Sequence, residues 1–246
     1  MPPTEAWPFD DAALLAAWER TRLLARPWKE VALLSAATGA SAEEVARLPV
    51  GERDRRLLLL REHAFGGRLE CESSCPSCGA RLEFELETAS LVLPAGDLSL
   101  SALRISDGRT DVTFRLPDSA DVAASSGPDR DPEEVLLSRC VLSATMNGAP
   151  VDGAALRPEV KERLSERMAE LDPQADLRLD LSCPACRHAW RAGFDPAAFL
   201  LAEVDDKAGR LFAEVDVLAR AYGWTEGEIL ALSPLRRRRY LEMALE

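Results

Sequence analysis

Two short runs hold the residues best suited to chemistry in this chain: Cys75-Pro76-Ser77-Cys78 and Cys183-Pro184-Ala185-Cys186. A thiolate is a soft ligand, and two thiolates spaced by two residues can share one metal ion. Four of them around one ion make a closed tetrahedral site of the kind zinc favours. Such a site holds a fold together and leaves no open position to activate water.

The flanking residues indicate how four sulfurs could meet. Leu69-Glu70-Cys71-Glu72 precedes the first run, and Leu82, Phe84 and Leu86 alternate with Glu83, Glu85 and Glu87 after it. Leu177, Leu179 and Leu181 alternate with Arg178, Asp180 and Ser182 before the second run, and Trp190, Ala192 and Phe194 follow it. Period-two alternation marks half-buried strands, so each Cys pair sits at the tip of a β-hairpin. About 100 residues lie between Cys78 and Cys183, where a compact zinc ribbon has roughly 15–20, so the ribbon is split by an inserted subdomain. The matching hairpins favour one site built from Cys75, Cys78, Cys183 and Cys186. Two independent Cys pairs, redox-active or merely buried, are the alternative. Cys71, on the strand entering the first knuckle, is a substitute ligand. Cys140 ends the helical stretch from Glu133 and reads as a small core residue.

Other cysteine chemistries fit poorly. A c-type haem needs His directly after the second Cys, but Arg187 follows Cys186 and His188 comes one place late. A thioredoxin-like pair opens a helix, whereas strand patterns follow both pairs here. Trp7, Asp10 and Asp11 interrupt any signal-peptide pattern, so the expectation is a reducing compartment without disulfides.

Composition narrows the class. At 246 residues with 47% hydrophobic content, the chain can bury a real core. No apolar run approaches the roughly 18 residues of a membrane span. The net charge of −12 disfavours a phosphate-binding partner. Only two histidines occur, His63 and His188, and neither joins a nucleophile. No phosphate-cradling glycine loop, His-Glu-x-x-His or Gly-x-Ser-x-Gly is present, so the chain reads as a non-enzyme.

The elements that must position the cysteines follow from periodicity and caps. Asp10-Asp11 can cap a helix through Leu14, Leu15, Trp18 and Leu23; a second apolar stretch covers Trp28 to Ala37. Ser41-Ala42-Glu43-Glu44 fits a capping box. A fourth helix carries Leu57 to Leu60 and ends at Phe65-Gly66-Gly67. Asp107-Gly108 predicts a hairpin turn, residues 124–131 a mobile loop, and Pro132 to about Ala144 a helix. Pro158 opens a helix with Val160, Leu164, Met168 and Leu171 on one side. The tail from Pro196 is helical, with a stop at Gly223, a capping box at Thr225 and a cap at Ser233. Its large groups read as a docking element for a partner protein: Trp224, Leu235, Tyr240, Leu241 and Met243, with Arg236, Arg237, Arg238 and Arg239 at the rim.

The expected fold is α+β. A split four-Cys zinc-ribbon-like β core (68–195) carries an inserted α/β segment (about 95–172), between helical regions at 1–67 and 196–246.

Two segments carry a family resemblance. Ala221-Tyr222-Gly223-Trp224-Thr225-Glu226-Gly227-Glu228-Ile229-Leu230-Ala231-Leu232, with Arg236-Arg237-Arg238-Arg239-Tyr240-Leu241, resembles an ending of small baseplate proteins. These belong to contractile-tailed bacteriophages and related phage-tail-like contractile injection systems. Leu48-Pro49-Val50-Gly51-Glu52-Arg53-Asp54, with Arg61 and Phe65-Gly66, is similar to the N-terminal part of that group, which often places a Cys-Pro-x-Cys turn just afterwards. The resemblance implies other baseplate, hub or spike proteins as partners; joined to the residue reading, it gives the expectation of a non-enzymatic structural component with one structural zinc held by the four cysteines. It implies no nucleic acid, membrane insertion or small-molecule substrate. The place is the cytoplasm during assembly, then the particle. The group also includes assembly chaperones, which keeps that role open. A zinc-ribbon nucleic-acid binder is the remaining alternative, opposed by the acidic balance.

Overall fold

The computed structural model describes residues 10–94, 99, 103–127 and 131–245. Four helices come first: α1 (Asp11–Arg22), α2 (Trp28–Thr38), α3 (Ala42–Ala46) and α4 (Val50–Phe65). Asp10 caps α1, accepting from the Ala13 N–H at 2.8 Å. Ser41 and Glu44 form the expected reciprocal box around the start of α3. No side chain of its own first turn caps α4. Its orphan N–H groups find distant partners instead. Gly51 donates to Asp172 Oδ2 at 2.8 Å, and Val50 to the Pro117 carbonyl at 3.0 Å. A Cβ on Gly51 would lie 1.9 Å from Asp172 Oδ1, so only glycine admits this cap.

The first knuckle follows. β1 (Arg68–Ser74) pairs antiparallel with β2 (Arg81–Glu87), and the short helix α5 (Thr88–Leu91) closes the hairpin. The insert contains β3 (Arg104–Ser106), β4 (Thr110–Phe114), α6 (Ser119–Ser125), α7 (Pro132–Cys140), β5 (Val141–Met146), β6 (Ala149–Pro150) and α8 (Pro158–Leu171). Its four strands form one antiparallel sheet in the order β3-β4-β5-β6. Asp107 builds the first turn by accepting from the Arg109 and Thr110 N–H groups.

Two expectations need correction. The helix from Pro132 stops at Cys140, and Ala144 pairs with Val112 inside the sheet. Tertiary pairing with β4 takes over from Val141, and Asn147 (φ 52°) with Gly148 (φ 80°) supplies the left-handed tight turn into β6. The predicted loop at 124–131 begins later than expected, because α6 runs to Ser125; residues 128–130 lie outside the described residues.

The second knuckle consists of β7 (Arg178–Ser182) and β8 (Ala189–Gly193). The tail contains α9 (Pro196–Tyr222), α10 (Glu226–Leu230) and α11 (Pro234–Leu245). Gly223 at φ 70° terminates α9, and Thr225 with Glu228 boxes α10. Among the described residues, no helix is long and apolar enough to cross a membrane.

Three apolar cores result. α1 to α4 and α9 share the first, through Leu15, Val31, Leu34, Leu57, Leu60, Leu200 and Leu211. The helical regions on either side of the knuckles are therefore one body. The insert has its own core around Val112, Phe114, Leu137, Cys140 and Leu164, with Val160, Leu164, Met168 and Leu171 of α8 turned into it. A third, smaller cluster joins Leu58, Leu69, Leu91 and Leu177. The leucine run of α4 divides accordingly: successive residues turn by about 100°, so Leu57 and Leu60 enter the first core, Leu58 enters the third, and Leu59 stays exposed.

Candidate metal centre

The two knuckles repeat each other bond for bond. The Cys75 N–H donates to the Ala80 carbonyl at 2.9 Å, and the Cys183 N–H to the His188 carbonyl at 2.9 Å. The Gly79 N–H returns to the Cys75 carbonyl, and the Arg187 N–H to the Cys183 carbonyl, both at 2.9 Å. The fourth residue after each first cysteine is left-handed, Gly79 at φ 73° and Arg187 at φ 62°.

The hairpins do not merge into one sheet; each bonds only within itself. Their tips meet at the sulfurs. Cys75 Sγ lies 3.7 Å from Cys186 Sγ, and Cys78 Sγ lies 3.7 Å from Cys183 Sγ. All four sulfurs fall within 4.8 Å of one another. With metal–sulfur bonds of about 2.3 Å, a tetrahedron has sulfur–sulfur edges of about 3.8 Å, so one zinc-sized ion fits among them. The first cysteine of each pair is buried and the second is exposed. The third core lies at the hairpin bases, where Leu69, Leu86, Leu177, Leu179 and Phe194 pack together. Sulfurs at the tips and apolar contacts at the bases thus fix one hairpin against the other.

Electrostatics favours a cation here. The N–H groups of Cys186 and Ala185 pull the Cys183 thiol down to about 7. The Ala80 N–H acts in the same direction on Cys78, but the neighbouring thiols outweigh it and push Cys78 up to about 12. The Cys183 proton leaves readily and the Cys78 proton is held, because thiolates this close repel. A divalent ion removes that repulsion and deprotonates its ligands outright. Four thiolates fill a tetrahedral shell, so the chemistry available is structural.

The remaining cysteines stand apart. Cys71 pairs across the hairpin with Phe84 and lies outside the sulfur cluster. Cys140 is buried in the insert core, where burial and then the Asp121 charge push its thiol up to about 12.

The tail residues expected to dock a partner divide into two sets. Trp224 and Tyr240 pack against each other at 4.9 Å, and both contact Tyr222. Arg237 is buried and pairs with Asp11 and with Glu214, the latter at 2.6 Å. These groups hold α11 on the chain's own helices. Leu235, Arg236, Arg238 and Arg239 are exposed, and Leu241 is half-buried. The four-arginine run could not reveal which one turns inward; the signal was the acids of α1 and α9, visible only once those helices are docked.

A family model described as the T4 bacteriophage base plate protein matches residues 31–199, more than half of the chain. The chain belongs to that family. The matched span contains both knuckles, the whole insert and the segment Leu48 to Asp54. The structure explains the composition of that segment. Gly51 admits the Asp172 cap, and Glu52 pairs with Arg55 and Arg56. Arg53 is buried against Asp54 and Ser119. The tail segment from Ala221 lies beyond the match to the family. Searches of curated proteins and of solved structures return no match.

Proposed function

We propose that this chain is a structural, non-enzymatic component of the baseplate of a phage-tail-like contractile injection system, stapled by one zinc ion. The observation that carries the reading is the family match over residues 31–199, which encloses all four clustered cysteines. A particle subunit needs a rigid body with defined docking faces and no active site. The two tip-to-tip hairpins supply rigidity at the junction of helical body and insert. A closed four-thiolate shell contributes on the order of 10 kcal/mol of metal-coupled folding energy. Its partners are other baseplate, hub or spike proteins, and it reaches the particle by assembly in the cytoplasm.

Mass spectrometry of gradient-purified particles tests the role. This chain is expected there at a fixed copy number relative to sheath and tube subunits. A chain needed for assembly but absent from finished particles is an assembly chaperone, and that result overturns the structural role.

A further inference from the structure

The outward face of α11 and the outward face of the first knuckle are complementary in charge and similar in length. Helix α11 turns Leu235, Arg236, Arg238, Arg239, Met243 and Leu245 toward solvent, while Arg237 anchors its inner side. At about 100° per residue these six fall on one half of the helix. Leu235 is 79% exposed and Leu245 75%. Arg239 has a partner in Glu242, but Arg236 and Arg238 have no carboxylate partner among the described residues. Exposed Glu242 lies on the same half and answers Arg239, which leaves a net basic and otherwise apolar helix face on a chain of net charge −12.

The first hairpin has the opposite character. Glu70 stands directly across from Glu85, and Glu72 across from Glu83. Like charges in facing positions destabilise a hairpin. The second hairpin avoids this by facing Asp180 with Arg191, which pair at 3.2 Å. An open groove of about 490 Å³ runs along the first hairpin, lined by these four glutamates together with Cys71, Arg81 and Phe84. Arg68 answers Glu85, and Arg81 answers Glu72 at 2.6 Å and Glu83 more loosely at 3.4 Å, while Glu70 has no basic partner among the described residues.

We infer that α11 of one copy of this chain docks into the acidic groove of the β1–β2 hairpin of a second copy. Arg236 and Arg238 answer Glu70 and Glu83 on the outward, glutamate-bearing face of the hairpin. The lengths agree: twelve helical residues span about 18 Å, and seven strand residues about 24 Å. A basic helix can also bind a membrane or a nucleic acid, but an anionic surface repels the rest of so acidic a chain. The contact is head-to-tail, and contacts of that kind build rings when the rotation closes. One helix in one groove is a small interface, so association is weak in solution and strengthened by ring closure. A ring of copies presupposes the baseplate role, whereas association of the purified chain is measured without particles, so either can fail alone.

The test is sedimentation velocity of the full-length zinc-loaded protein over a concentration series, in low and high salt. The expected result is concentration-dependent association that weakens at least tenfold in high salt. The double variants R236E/R238E and E70K/E83K are each expected to be monomeric, and their equimolar mixture to associate again, because alternating contacts then carry the reversed and the native charge pairs. E70K/E83K also removes both like-charge facing pairs, so its hairpin is at least as stable as the parent's, which separates lost association from misfolding. Should R236E/R238E misfold, R236Q/R238Q replaces it, with association expected to weaken but not vanish. A wild-type chain monomeric at every concentration overturns the inference. So does association unchanged in both variants, or a monomer that binds anionic vesicles through α11.

Discussion

Cys75 Sγ and Cys186 Sγ lie 3.7 Å apart although 111 positions separate them in sequence. One is the first cysteine of its knuckle and the other the last. The cross-pairing means that neither hairpin can complete the cluster alone. The ion that fits there closes a loop containing the whole insert.

Loss of one ligand is expected to release the metal. Cys78→Ser leaves three thiolates and should unfold the knuckles by several kcal/mol, given metal-coupled folding on the order of 10 kcal/mol. Cys140→Ser leaves the cluster intact and retains metal. Zinc content and thermal unfolding of both variants check this; equal metal content in Cys78→Ser and wild type contradicts it.

Gly51→Ala is expected to cost about 1–3 kcal/mol, because the new Cβ would meet Asp172 Oδ1 at 1.9 Å and the Ala175 N at 2.9 Å. Asp172→Ala removes the distant cap of α4 and should cost about 1 kcal/mol. Urea unfolding should show the double variant losing less than the sum, since the two residues share one contact.

The knuckle turns differ in one residue. Arg187 holds a left-handed conformation that Gly79 holds without a side chain. Arg187→Gly is expected to stabilise by about 1 kcal/mol, and Gly79→Ala to destabilise by a similar amount. Denaturant midpoints at matched zinc occupancy decide it, and an Arg187→Gly variant less stable than wild type contradicts the assignment.

Two buried acids set opposite pH dependences. Burial outweighs the Arg53 pairing and lifts Asp54 to about 6. The folded state then binds this proton more tightly than the unfolded chain, so the stabilisation is full below about pH 4 and is lost as pH rises through 6. Asp121 is also buried, but Arg115, the Asp118 N–H and Arg139 prevail and hold it at about 2. Its stabilisation is present above about pH 4 and is lost as pH falls toward 2. Asp54→Asn should therefore differ from wild type in slope between about pH 4 and 6, and Asp121→Asn between about 2 and 4. Pairwise comparison at each pH cancels metal release. A parallel Asp54→Asn curve across pH 4–6 contradicts the first assignment.

Arg237→Met should cost about 3 kcal/mol, because it removes a buried guanidinium, leaving Glu214 without this partner and Asp11 with only the longer Lys207 pair. Arg236→Met and Arg238→Met should change stability by less than about 0.5 kcal/mol. Amide exchange in α11 reads the difference directly; equal exchange in all three contradicts an inward role for Arg237.

The sequence disclosed what depends on local pattern. Alternation around both Cys pairs marked the hairpins, and Ser41, Thr225 and Gly223 marked helix ends, because caps and pleats act over a few residues. It disclosed less where partners are distant. The leucine run of α4 does not show that Leu57 and Leu60 serve one core, Leu58 another and Leu59 neither, since that requires the position of Leu177. The cap on Gly51 comes from Asp172, and no periodicity links them. Val141 to Ala144 read as helix, but pairing with β4 outweighs local propensity there. Arg237 looked like its three neighbours until α1 and α9 brought Asp11 and Glu214 to it.

Metal analysis with X-ray absorption on the purified full-length protein probes the stapled core at its sulfurs. One zinc per chain with four sulfur neighbours at about 2.3 Å is the expected result. A protein without stoichiometric metal, or a shell containing nitrogen or oxygen in place of any of the four sulfurs, contradicts it.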